Sequence, residues 1–384
     1  MNNLWKLYLY RALSSFTFVS PIFVLFLQDN GLSMTQVMAL QAIYSLTTVA
    51  FLIIGGSVAD FLGRKKVLVL SSVLSFAGWL VYSLGHNFIQ FVAAEIVLGV
   101  SLALWESSFS AWLYDSLKEQ NEEKQYKRVF GNTFAVMFLA VGLAAPVGSY
   151  LASFDLRLPF FATIIPVALS MFVIIGFREP EYHKKAQPYF AHIRQTLGYC
   201  WNRPRTRNLI LFGSIAYSSL FSAFFLYQPY FAAAGLPIVY FGIVYFGIEA
   251  TGALGAKYAH KIEGRMSEKR FLLLTIGVPV IGFSVMLINP IAGIVVTILL
   301  SLVSGMLEPV ITDYIHIDTE SYHRATVLAI YGTAYGIISS ILMLGTGYVV
   351  DHFSINHAII GLGLVLALNL LFLAGIKNKA GAKA

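Results

Sequence analysis

Gly56-Ser57-Val58-Ala59-Asp60-Phe61-Leu62-Gly63-Arg64-Lys65-Lys66 is a small, charged, glycine-hinged segment wedged between two long apolar runs. A tight basic turn between such runs is a topological marker, because positive charge stays on the cytoplasmic side of a membrane. Composition agrees with that reading. The chain is 58% hydrophobic and 12% charged, about half the roughly 25% charge of an average soluble domain. It holds too little polar sequence to cover the surface of a soluble protein of this length. The sequence describes a polytopic membrane protein.

Outward from the basic turn, apolar runs of about 20 residues recur, the length a helix needs to cross a roughly 30 Å hydrocarbon core. They fall near 7–28, 36–58, 67–86, 88–114, 129–153, 158–177, 207–228, 238–258, 271–288, 291–315, 326–350 and 357–376, twelve in all. The shortest joints, His86-Asn87 and Asn289-Pro290, read as tight turns closing helical hairpins. With both termini inside, every Lys and Arg except Arg157 lies in or beside a cytoplasmic segment, and inversion would reverse that bias. This topology accounts for the +7 formal charge without a nucleic-acid partner. Lys6 and Arg11 precede an apolar run as in a signal peptide, but the run is too long and no small-residue cleavage site follows. The first helix is expected to stay. Cys200 is the single cysteine, so an intramolecular disulfide is excluded and a cysteine-based metal or redox site is not expected.

The basic turn also resembles the signature loop of the major facilitator superfamily, G-x-x-x-D-R-x-G-R-K-K. Gly56, Asp60, Gly63, Arg64, Lys65 and Lys66 match it, and Phe61 stands where a base is usual. The resemblance implies an all-α membrane protein with twelve transmembrane helices in two six-helix pseudo-symmetric bundles, both termini cytoplasmic. It implies a secondary transporter with its substrate site near the midplane between the halves, working by rocking one half against the other. Residues 178–206, the longest polar stretch, divide the chain into an N-terminal bundle at 1–177 and a C-terminal bundle at 207–384. Within this cytoplasmic linker Phe190, Ile193, Leu197 and Trp201 recur at helical spacing, with His192 and Arg194 between them, as in a short amphipathic helix on the inner membrane face. The counterpart of the signature loop after the eighth span reads Gly255-Ala256-Lys257-Tyr258-Ala259-His260-Lys261, keeping the glycine and the bases and losing the acid.

Charge inside a membrane costs several kcal/mol per group, about 3 on insertion scales, unless it is paired or solvated, so such groups point to function. Glu95, Glu106, Glu249, Glu308 and Asp313 qualify. Glu106 and Glu308 lie about two-thirds of the way along the fourth and tenth spans, repeat mates that the resemblance places on the central cavity. Two glutamates there suit proton coupling or cation binding, since burial disfavours a charged carboxylate and lets it load and release a proton. The alternative is a protonated glutamate hydrogen-bonded between helices. Glu249, mid-span in the eighth helix where the second carries Ala50, fits coupling and a structural link to Thr251 or a neighbouring helix equally. Asp313 and Glu95 lie nearer span ends, where water solvates them, and Arg11 is expected to snorkel to the lipid headgroups.

The resemblance assigns Asp60, Arg64 and Asp115 to a charge cluster that locks the inner ends of the halves while the transporter faces outward. The bland alternative is a surface ion pair worth under about 1 kcal/mol. Two other family signals are degraded. Glu95-Ile96-Val97-Leu98-Gly99 has an acid where antiporters carry the arginine of an R-x-x-x-G motif, and Gly142-Leu143-Ala144-Ala145-Pro146-Val147-Gly148-Ser149 keeps part of a glycine-proline motif. Close helix packing and a kink already account for the latter.

Trp105, Phe109 and Trp112 surround Glu106, and the seventh span carries Phe224, Phe225, Tyr227, Gln228 and Tyr230. Aromatic walls with a buried acid suit a lipophilic cation, although about half of these rings must face lipid. The candidate coupling and binding residues are therefore Glu106, Glu308, Glu249, Trp105, Phe109, Tyr227 and Gln228. No phosphate loop of the G-x-x-x-x-G-K type occurs and the histidines are scattered, so an ATP-driven pump, a metal site or an enzyme is not expected. No cofactor is expected beyond a proton gradient. The expected function is proton-coupled transport of a small organic solute across the cell (inner) membrane by a monomer, foremost export of lipophilic or cationic compounds. Proton-driven uptake of a sugar, amino acid or metal chelate is the alternative within transport, and a non-transporting sensor or scaffold the alternative outside it.

Overall fold

The computed structural model describes residues 4–180, 196, 198–320, 323–374 and 376, apart from the side chains of Ile53, Ser57, Asp60, Ala325 and Ala374. The chain within them is helical almost throughout: α1 (Leu4–Ser15), α2 (Phe23–Asp29), α3 (Met34–Leu62), α4 (Arg64–Leu84), α5 (Phe88–Lys118), α6 (Tyr126–Ala152), α7 (Leu158–Ile175), α8 (Pro204–Ala233), α9 (Phe241–Glu263), α10 (Glu268–Ile288), α11 (Pro290–Asp318), α12 (Arg324–His352), α13 (Ile355–Leu368) and α14 (Leu370–Ala374). Among the described residues 11 helices are long and apolar enough to cross a membrane.

The first expected span is the one that differs. Instead of one helix over 7–28, the chain leaves α1 at Ser15 and resumes at Phe23, with residues 16–22 in turns. Pro21 has no N–H for a helical ladder, and the freed backbone is satisfied sideways. Phe18 N donates to Thr163 Oγ1 of α7 at 3.0 Å. The Phe18 carbonyl lies so close to α6 that a Cβ added to Gly148 would stand 1.9 Å from it. Non-helical backbone persists at membrane depth only where protein groups enclose it in this way.

Helix starts follow side-chain caps. Asn87 accepts from Gln90 N at 3.1 Å to open α5. Asn289 ends α10 and opens α11, accepting from Ala292 N at 3.1 Å with Pro290 at the first helical position. These are the two hairpin turns legible in the sequence. At the α3–α4 joint Gly63 takes φ +100°, a conformation that a Cβ would strain. Arg157, the base that falls apart from the others, donates to the Ser83 and Gly85 carbonyls at 2.9 and 2.7 Å and so closes the end of α4.

Residues 1–185 with 235–250 form one compact unit, and residues 186–234 with 251–384 form another. In the first, α5 packs along both α3 and α4, and α1 lies against α6 and α7. A cluster that includes Tyr10, Trp105, Trp112 and Phe177 fills its core. In the second, α8 packs on α11 and α12, and α10 packs on α11 and α13. The α8 span is 72% buried, against 28–44% for the other spans, so it is the spine of its unit. Ile288, Ile291 and Phe172 are more than 70% exposed, apolar surface suited to lipid. The amphipathic segment expected in the linker falls largely outside the described residues, while Trp201 at its end is exposed.

Candidate functional site

The signature segment closes the start of α4. Arg64 forms an ion pair with Asp115 near the end of α5 and donates to the Ala111 carbonyl at 2.7 Å. Both members are mostly enclosed, at 16% and 19% side-chain exposure. The side chain of Asp60, the third expected member, is outside the described residues. Sequence reasoning missed a partner instead: Glu179, just after α7. Its two carboxylate oxygens accept from Arg64 N and Lys65 N at 2.7 and 2.9 Å, capping the first turn of α4. Trp112 Nε1 pins the same strand of chain by donating to the Arg178 carbonyl at 3.0 Å. The one available signal was an acid in Arg178-Glu179-Pro180, directly after the last span of the first half. Gly56, Lys65 and Lys66 flank this joint, and Phe61 is exposed.

Deeper in the first unit lies a cavity of about 350 Å³ between α1, α3, α4 and α5. Glu95 lines it and is 3% exposed, so it is not the water-solvated end residue that its position in the span suggested. It stands about two turns into α5, on the face toward α3 and α4. Gln41 Nε2 and Tyr82 OH both donate to its Oε1, at 2.8 and 2.5 Å. Ser71 and Ser101 clasp across the cavity wall, each hydroxyl donating to the other's carbonyl at 2.8 Å. Arg11 also lines the cavity, in place of the expected snorkelling to headgroups. Its guanidinium lies 5.6 Å from the Trp105 ring centre and 5.9 Å from that of Phe134, and NH2 meets Met137 Sδ at 2.8 Å. Those rings hold it by cation–π contact where a lipid-facing arginine would have none.

Trp105 and Phe109 are buried and stack at 4.6 Å, and Tyr10 stacks on Trp105 at 4.9 Å. Glu106, beside Trp105 on α5, is exposed on the first unit, close enough for its charge to act on Arg11 and on Tyr44. Glu249 is half-buried, its Cβ facing Gly142 of α6. In the second unit Glu308 is exposed on α11, with its charge felt by Tyr331 and Tyr335 of α12. Tyr227 and Gln228 are interior residues of α8, 4% and 1% exposed, and Tyr227 stacks on Phe231. Asp313 is exposed near the end of α11.

The second unit has a charge cluster of its own. Arg205, in the first turn of α8, donates from NH2 to both oxygens of Glu268 at 2.8 Å. Its Nε lies 3.4 Å from Asp318 Oδ1, and Asp318 Oδ2 accepts from Thr206 at 2.6 Å. The segment Gly255–Lys261, the weakened copy of the signature loop, contributes none of these side chains. The nearest sequence signal was the run of bases before α8.

Across residues 8–343 the chain matches the family model described as Major Facilitator Superfamily. The chain belongs to the major facilitator superfamily. It is thus a multi-pass membrane protein of that superfamily, and it spans less than two thirds of the length of the first curated relatives it matches. Among curated members of the superfamily it is 23% identical over 236 residues to the quinolone resistance protein NorA of Staphylococcus aureus (strain MRSA252), covering 60% of this chain and 59% of that relative. Multidrug resistance protein 2 of Bacillus subtilis (strain 168) is 22% identical over 371 residues, covering 92% of this chain and 88% of the relative. Among solved superfamily structures, the nucleoside transporter NupG superposes with a TM-score of 0.80 at 14% identity, covering 99% and 100% of the two chains. A bacterial homologue of the human lysosomal transporter Spinster gives 0.74 at 12% identity, covering 96% and 95%. At those identities the structures share the fold alone.

Proposed function

We propose that this protein is a proton-coupled transporter and exports lipophilic or cationic organic solutes from the cell by alternating access. The observation that carries the reading is a set of carboxylates, Glu95, Glu106, Glu249 and Glu308, within spans and beside aromatic rings. An acid at that depth is costly unless it is paired, solvated or protonated, which suits a group that loads and releases a proton, and aromatic faces favour the cationic groups of lipophilic solutes. The resistance proteins similar to this chain support the same direction. In this reading both termini and the Arg64 cluster face the cytoplasm of a cell-membrane monomer, with six-helix bundles at 1–177 and 207–384 joined by a cytoplasmic linker at 178–206. The Arg64–Asp115 pair holds the outward-facing state, while Glu106 and Glu308 carry the coupling and Glu249 stands second to them.

Proton movement in proteoliposomes under an imposed pH gradient tests it. A lipophilic cation should release protons, and Glu106→Gln or Glu308→Gln should abolish the release. Flux that persists in both variants would reduce the two glutamates to structural groups. Uptake of a polar nutrient is a second reading, favoured by the serine hydroxyls of the first-unit cavity. Proton flux triggered only by a nucleoside, sugar or amino acid would select it.

A further inference from the structure

We infer that the cavity inside the first unit is a binding site for a small bipolar solute, an aromatic zwitterion whose ammonium meets Glu95 and whose carboxylate meets Arg11. The inference rests on the transport reading, adds a zwitterion to the lipophilic and cationic solutes proposed there, and places the contact within one unit.

Two incompletely satisfied ionisable groups, an acid and a guanidinium, line this one cavity. Glu95 is 3% exposed, and both donors that reach it fall on Oε1. Oε2 takes no hydrogen bond among the described residues. A carboxyl group has more hydrogen-bonding capacity than one oxygen uses, and the second oxygen is left for a guest. An ammonium entering the cavity supplies the missing donor. Arg11 mirrors this. A guanidinium carries five N–H donors, and the side-chain hydrogen bond this one makes among the described residues is to a thioether sulfur, a weak acceptor. The charge of the exposed Glu106 also acts on it. A carboxylate on the guest would satisfy the guanidinium directly.

Geometry separates the two groups. Arg11 lies over Trp105, and Trp105 stands about 15 Å along the α5 axis from Glu95 at a rise of about 1.5 Å per residue. A guest with a ring between two polar ends fits a cavity whose acid and guanidinium lie near different parts of α5. Trp79, Tyr44 and Trp105 supply flat apolar walls, and Ser71, Ser75 and Ser101 supply hydroxyls between them. A volume of about 350 Å³ is at the small end of ligand pockets. The other titratable groups at the cavity are phenols, Tyr10 on α1, Tyr44 on α3 and Tyr82 on α4. None of them supplies a second full charge.

Calorimetric binding to the purified protein in lipid nanodiscs tests the site with a matched set of probes. These are 4-(aminomethyl)benzoate, with charges at opposite ends of the ring, benzylamine, benzoate, and phenylalanine with its charges adjacent. The first should bind about tenfold or more tightly than each of the others, a difference of at least about 1.4 kcal/mol. Glu95→Gln, which keeps the Oε1 acceptor, should lower its affinity to that of benzoate, and Arg11→Gln to that of benzylamine. No measurable binding of 4-(aminomethyl)benzoate to the native protein, or binding no tighter than benzylamine, overturns the proposal. So does an affinity unchanged in either variant. The native probe series stands without the variants, whose integrity is checked by unliganded melting. Because binding is read at equilibrium, its failure leaves cation-driven proton flux in proteoliposomes as a separate question.

Discussion

In the first unit the charge cluster is built around the start of α4, where Arg64 reaches Asp115 and Glu179 caps the first turn. In the second it is built around the start of α8, where Arg205 reaches back to Glu268 at the start of α10 and to Asp318 at the end of α11. The polarity at the two corresponding helix starts is reversed. A base at the start of α4 opposes the helix dipole, and a separate carboxylate from beyond α7 answers it. An acid at the start of α10 agrees with the dipole, so its countercharge can come from another helix. The second unit thus has a charge cluster although Gly255–Lys261 carries no acid. One mechanical requirement, tying helix ends together, is met by two charge arrangements that share no sequence pattern.

The sharpest way to break this comparison is at Arg205. Arg205→Met leaves Glu268 and Asp318, both mostly enclosed, without their shared cation. A loss of about 3–5 kcal/mol is expected for a broken enclosed pair, read as a fall in melting temperature in detergent. Adding Glu268→Gln should recover part of the loss. Equal melting of the single and double variants would show that the triad is not a unit. Arg64→Gln comes next. It should depress transport in proteoliposomes by about tenfold, or about 1.4 kcal/mol of the barrier, while the protein stays folded. Unimpaired transport would reduce the pair to packing.

Glu179→Gln weakens a cap worth about 1 kcal/mol, so a shift of a few degrees or less in melting temperature is expected. A shift as large as that of Arg205→Met would erase the distinction between cap and triad. Glu320→Gln closes the series. Its pair with Arg203 is 43% and 63% exposed, so the effect should stay within about 0.5 kcal/mol. A larger loss would place that pair in the second cluster.

The spans were legible because about twenty apolar residues leave a chain few other options, and the hairpin turns because Asn87 and Asn289 announce their caps. Arg64 and Asp115 were legible through the signature pattern. Glu179 and Arg205 were not, because a carboxylate capping a helix start some 115 positions away in sequence is a tertiary contact with no local periodicity. Glu95 was misread for a related reason. Distance along a span suggests depth, but the face of α5 decides exposure, and that face is set by Gln41 and Tyr82 on two other helices. The break at residues 16–22 had Pro21 as its one signal in a mostly apolar run, and the groups that satisfy it stand on α6 and α7.

Gly148 records that break in the inheritance of the chain. Its missing side chain is space occupied by the Phe18 carbonyl, which occupies it because the first span departs from the helix there. A lineage in which the first span straightens releases position 148 to drift, and one that fills position 148 must first move the carbonyl away. Ancestry should therefore show the two changing together, with neither substitution surviving long in the absence of the other.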